Sequence, residues 1–186
     1  MQILRKLFLF GMTVFMFSPL NDMLRYLAQV PPEQVGFGQA FFMAFAISMC
    51  ATGVFAFVGF AFPTYKLLPR SYYGIKAPNR LRLMYKLLRV KEFRVLLLLF
   101  FWGWKKNRKK YFSGKKGGLD SFVLETKQSE FGHLGGLILT LGLSIPVLVN
   151  GHFVVFGIIQ LFNLLGNFYP IILQRHHRMR VELLNR

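Results

Sequence analysis

Apolar residues crowd this chain into four long runs, Leu7–Met23, Gly36–Phe62, His133–Asn150 and His152–Gln174. Each approaches or exceeds the roughly 20 residues that an α-helix needs to cross a hydrocarbon core. The connector "LAQVPPEQVG" between the first two is short and rich in proline, and only Asn150-Gly151 separates the last two. Both are turn signals, so the runs fold as two antiparallel helical hairpins.

Between the hairpins, "NRLRLMYKLLRVKEFRVLLLLFFWGW" opens with apolar and basic residues at near-helical spacing. It ends in an apolar run of roughly eleven residues, too short to span. The pattern suits an interfacial or re-entrant helix, with Lys and Arg among the headgroups and Trp102 and Trp104 in the aromatic belt. Two readings are open for it: a helix resting on anionic lipid, or a cover over an intramembrane cleft. The expected fold is all-α, an integral membrane protein with about four transmembrane helices. It has an N-terminal transmembrane hairpin over residues 1–65, a basic cytoplasmic or interfacial segment over 66–127 and a C-terminal transmembrane hairpin over 128–186.

Composition narrows the class further. With 54% hydrophobic residues and 22 Phe among 186 positions, an ordinary soluble domain is excluded. A lone Cys50 excludes an intramolecular disulfide framework and a cysteine-based zinc cluster. The opening "MQILRKLFLFGMTVFMFSPL" is basic and then apolar like a signal peptide. Phe17-Ser18-Pro19-Leu20 is a poor cleavage site, so the segment reads as a retained first anchor. The net charge of +17 sits mainly between Tyr65 and Lys127 and in the tail "QRHHRMRVELLNR", while the connectors at Pro31-Pro32 and Asn150-Gly151 carry almost none of it. Basic residues accumulate in cytoplasmic loops, so both termini and the middle loop are expected on the cytoplasmic side of a cell (inner) membrane. The run "KKNRKKYFSGKKGG" then reads as a topogenic signal with attraction for anionic lipid, and not as a nucleic-acid patch. No Walker loop or dinucleotide fingerprint is present, and no cofactor is expected.

Polar groups at membrane depth are costly, and those that persist face a bundle interior, a cavity or a partner. Two clusters have this character. Glu125, Lys127, Glu130 and His133 stand at the entrance to the third span, with Glu130 and His133 three residues apart on one helix face. Glu130 in that position would orient the imidazole for use as a base. Asn163 and Asn167, four apart, lie on one face of the fourth span, followed by Gln174, Arg175 and Arg178. Antiparallel pairing of the two spans brings both clusters to one membrane level, and Pro170 would free carbonyls there. Blander roles are open for each part: the arginines as snorkelling anchors, the asparagines as interhelical glue, Glu130 and His133 as a helix cap. A di-iron site would need a second Glu-x-x-His pair, which is missing, so no metal is expected.

The stretch "ETKQSEFGH", two closely spaced apolar spans and "GNFYPIILQRHHRMRVELL" together resemble the glycosyl-4,4'-diaponeurosporenoate acyltransferase (CrtO) family. Glu125, Thr126, Lys127, Glu130, His133, Asn167, Pro170, Gln174, Arg175, Arg178 and Arg180 match that family's pattern in order. The resemblance runs from about Trp104 onward. The second long span and "YGIKAPNRLRLMYK" depart from it, and Met179 stands where a proline is common. The likeness implies a membrane enzyme that moves a fatty acyl group from a thioester donor to a hydroxyl of a glycosylated carotenoid-like or other lipid acceptor. His133, Glu130 and Asn167 are then the candidate catalytic residues, with Asn167 or Gln174 donating to the oxyanion. Glu125, Lys127, Asn163, Gln174, Arg175 and Arg178 are the candidate substrate-binding residues, with Arg175, Arg178 and lysines of the middle loop holding phosphates on the donor. The competing readings are a membrane scaffold or lipid-binding subunit without catalysis, and a membrane methyltransferase or steroid reductase. The longer C-terminal cofactor pattern of the latter is missing.

Overall fold

The computed structural model describes residues 2–100 and 118–184, and among them every regular element is helical. Among the described residues four helical stretches are long and apolar enough to cross a membrane: Gln2–Gln29, Phe37–Ala61, Leu119–Val149 and Phe153–Leu183. The protein is a multi-pass membrane protein. Trp102, Trp104 and all but the last residue of "KKNRKKYFSGKKGG" lie outside the described residues.

Packing divides the chain into two units, the first formed by Met1–Thr64 and Phe131–Phe168. In it, α1 (Gln2–Gln29) and α2 (Phe37–Ala61) pair across a 3-10 turn at Pro32–Gln34. The seam on α2 is built of small residues, Ala40, Ala44, Ser48 and Ala51, all buried. Small side chains let two helix backbones approach, which is how helices associate where lipid tails are as apolar as leucine. The bulky side chains turn the other way, and Phe8, Phe15, Phe42 and Phe60 are exposed. Leu20 and Leu27 of α1 share one core with Ala40, Ala44 and Ile47, and with Val147, Val155 and Ile159 of the last hairpin.

That hairpin joins α6 (Leu119–Val149) to α7 (Phe153–Asn163), with Phe131–Val149 of α6 in this unit. Gly151 at the turn has φ +81°, the left-handed region that glycine enters at no steric cost. His152 beside it is buried and places Nε2 2.7 Å from the Leu27 carbonyl. The reason lies in α1: the helical partner of that carbonyl would be the N–H of residue 31, and Pro31 has none. His152 donates in its place.

The last span is helical from Phe153 through Leu184, but it widens to a π-turn at Leu164–Phe168 before α8 (Tyr169–Leu184) begins. Pro170 lacks an N–H for the Gly166 carbonyl, and its ring crowds that oxygen, so the backbone opens one turn early. At the other end of the hairpin, α6 starts at Leu119 and not near His133. Hydropathy marks the membrane-crossing part of a helix; the polar turns from Glu125 to Glu130 extend the same helix, and Glu130 finds two guanidinium partners there.

The second unit comprises Tyr65–Glu130 and Tyr169–Arg186. It contains α3 (Arg70–Tyr73), α4 (Pro78–Leu87), α5 (Val90–Phe100), the opening turns of α6, and α8. The amphipathic stretch expected as one helix is two, broken where Arg89 adopts φ +51°. Both pack on α8. Tyr85 stacks on His176 with ring centroids 3.7 Å apart, and Phe93 meets Tyr169 at 5.1 Å.

Candidate functional site

The polar residues singled out in the sequence fall into two groups, one in each unit. The first is led by His133 in α6. Its Nδ1 lies 3.4 Å from Oδ1 of Asn167, which the π-turn carries. Asn167 Nδ2 donates to Asn163 Oδ1 at 2.9 Å, and Asn163 Nδ2 donates to the Leu137 carbonyl at 3.2 Å. The Thr52 hydroxyl of α2 joins at Asn167, accepting from Nδ2 at 3.0 Å and donating to Oδ1 at 3.2 Å. Asn163 and Asn167 are both buried.

The network has a direction, and a backbone group sets it. A carbonyl oxygen can only accept, so Leu137 requires the NH2 side of Asn163. Asn163 then offers its oxygen to Asn167, which must turn its own NH2 inward and its oxygen toward His133. An oxygen there requires a proton on Nδ1 of the neutral ring. Nε2 is left with its lone pair, the form of imidazole that can take a proton from a substrate. The Gly166 backbone carbonyl, deprived of its helical partner by Pro170, lies beside the same ring as a further acceptor for a ring N–H. Space for the network comes from Gly136, where a Cβ would lie 2.7 Å from Asn167 Oδ1.

The second group is centred on Glu130, whose side chain is 0% exposed. Arg175 Nε donates to Oε1 at 2.8 Å, and Arg178 Nη2 donates to Oε2. A fully buried carboxylate is tolerable only when both oxygens are engaged, and here two guanidinium groups engage them. The Tyr72 hydroxyl hydrogen-bonds with both Glu130 and Arg175, and the Arg175 guanidinium lies 4.9 Å over the Tyr72 ring. Arg178 and Lys127 lie 5.5 Å and 5.8 Å over the Tyr73 ring. Burial, and then the Glu130 charge, pushes the Tyr73 hydroxyl up to about 12. Gln174 donates to Ser129 Oγ at 3.1 Å.

Glu130 therefore serves the arginines, and the group on His133 Nδ1 is an amide. Spacing along α6 gives Glu130 and His133 a common face, but ionic partners outcompete a neutral imidazole for a buried carboxylate. Asn163, Asn167 and His133 come together in the first unit; Glu130, Gln174, Arg175 and Arg178 come together in the second, with Lys127 at its edge. Glu125 is exposed and takes part in neither ion pair. Thr52, Ser129, Tyr72 and Tyr73 were not anticipated. The signal for the tyrosines was an aromatic pair beside Arg70 just outside the membrane spans.

Fold and site together define a class: a multi-pass, all-helical membrane protein with an amide-held histidine and a buried carboxylate clasped by two arginines. Such a pairing of polar chemistry with apolar helices is suited to modifying lipids. The chain belongs to the glycosyl-4,4'-diaponeurosporenoate acyltransferase (CrtO) family, whose model matches residues 69–186, and it is an acyltransferase of carotenoid biosynthesis. Neither the curated proteins nor the solved structures yield a match.

Proposed function

We propose that the protein transfers a fatty acyl group from a thioester donor to a hydroxyl of a glycosylated carotenoid-like lipid, with the polar ends of its spans on the cytoplasmic side of the cell membrane. The directed amide network ending on His133 carries this reading, because it leaves Nε2 as a proton acceptor. Nε2 takes the proton of the acceptor hydroxyl as its oxygen bonds to the thioester carbonyl carbon. The tetrahedral oxyanion collapses, the carbon–sulfur bond breaks, and the thiolate leaves with the proton returned from the imidazolium. Asn167 positions the ring and favours its Nδ1–H tautomer. Glu130, Arg175 and Arg178 form a cationic group for anionic parts of a substrate, with Gln174 and Lys127 at its margin and Glu125 as an exposed outer contact.

Lipid extracts of cells expressing the wild-type chain or His133→Ala test this. General-base contributions are about 100- to 10,000-fold, so the acylated glycolipid should fall below detection at equal amounts of folded protein. Undiminished acylated product from His133→Ala would overturn the assignment.

A further inference from the structure

The second unit contains an open cleft of about 410 Å³ between the α3 region and α4. Among the described residues three cations line it, Lys76, Arg80 and Arg175, and no carboxylate does. Ile75, Leu81 and Met84 supply apolar wall. Pockets that hold organic ligands run from about 300 to 1,000 Å³, so this cleft has room for a body as well as a charge.

The cation at its inner edge is pre-oriented. Glu130 fixes Arg175 through Nε, and Tyr72 bonds it and lies under its plane. A guanidinium carries more N–H donors than those two partners take up, so the rest of the fork is free to meet an anion. Behind it, Arg178 keeps Nε and Nη1 buried with no hydrogen-bond partner among the described residues, as does the Tyr73 hydroxyl. Two guanidinium groups share the single Glu130 carboxylate, which leaves a positive excess and donors without acceptors. Pro78 opens α4 with no side-chain cap, adding the positive end of that helix beside Lys76 and Arg80.

We propose that this cleft binds the phosphoester of the acyl donor, with Lys76 and Arg80 as its outer contacts and Arg175 as its inner one. Biological thioester donors carry the acyl group on a phosphopantetheine arm, a phosphate ester on a partly apolar body. That assignment rests on the acyl-transfer reading above; the chemistry recognised is a phosphoester, which a lipid headgroup also carries.

Binding of 4'-phosphopantetheine and of pantetheine to the full chain in zwitterionic nanodiscs distinguishes the sources. The phosphorylated probe should bind at least about tenfold more tightly, a difference equal to roughly one charge-assisted contact. Lys76→Gln with Arg80→Gln, both at exposed positions, should erase the difference and leave pantetheine binding unchanged. Equal affinity for the two probes, or a preference that survives the double substitution, overturns the proposal. In a parallel set of nanodiscs doped with phosphatidylglycerol, a double variant whose only loss is its enrichment of that lipid also overturns it, since the cleft would then be a lipid site. His133→Ala must keep the preference while losing transfer. If it keeps both, the cleft stands and the catalytic reading falls.

Discussion

Replacing Gly136 with alanine adds one methyl group at the point where α2, α6 and the π-turn meet. That methyl would sit 2.7 Å from Asn167 Oδ1 and 3.2 Å from both Cα and Oγ1 of Thr52. The Thr52 Cα is backbone in a packed helix and cannot yield cheaply, so Asn167 must move. Its Oδ1 is already 3.4 Å from His133 Nδ1, and any retreat ends that hydrogen bond. Overpacking costs about 1–3 kcal/mol, and buried amide groups left unsatisfied cost about as much again. Exchanging glycine for alanine inside a helix returns roughly 1 kcal/mol, leaving a net loss of about 1–5 kcal/mol. Transfer should fall by about 100-fold or more, because every catalytic side chain remains while the ring loses its tautomer. Gly142→Ala in the same helix supplies the control, since a Cβ there meets nothing within 4 Å. It should match or exceed wild-type thermal stability in detergent and leave transfer unchanged. Wild-type transfer by Gly136→Ala, with product quantified from nanodisc-embedded protein, would refute the positioning argument.

Two further outcomes follow from the second unit. Glu130→Gln leaves two guanidinium groups without their carboxylate and should destabilise the protein by about 3–5 kcal/mol, seen as a lower thermal midpoint in detergent. Adding Arg178→Met should recover part of that loss, and no recovery would mean the pair is not the source. The Tyr73 hydroxyl, raised from 10.0 to about 12 by burial and then by Glu130, stays protonated while an unfolded tyrosine ionises. Its contribution is therefore intact below pH 10 and is lost as pH rises through about 12. Tyrosinate absorbance should show a late step that Tyr73→Phe removes.

The four spans were legible because apolar runs and turn residues separate cleanly, and the Asn163 and Asn167 pair was legible because four-residue spacing puts both on one face. Partner choice was not. Which of several polar groups claims Glu130 depends on α8 lying against the start of α6 within the second unit, and no local pattern encodes that. Thr52 was invisible for a related reason: a single threonine in an apolar helix can bond its own backbone, as Thr13 does to Leu9 at 3.1 Å. Lys76 and Arg80 were hidden inside a basic stretch whose topogenic role explains every positive charge equally well. The break at Arg89 escaped notice because arginine has no preference for the left-handed conformation it adopts there.

The bond from His152 to the Leu27 carbonyl joins residues 125 positions apart. The acceptor lies in the first hairpin and the donor in the last, so the bond can close only when both hairpins are in place. The terminal hairpin is thereby tied to the one oxygen of the α1 end that Pro31 cannot serve, so a proline in the first connector and a histidine in the last act as a matched pair across the chain.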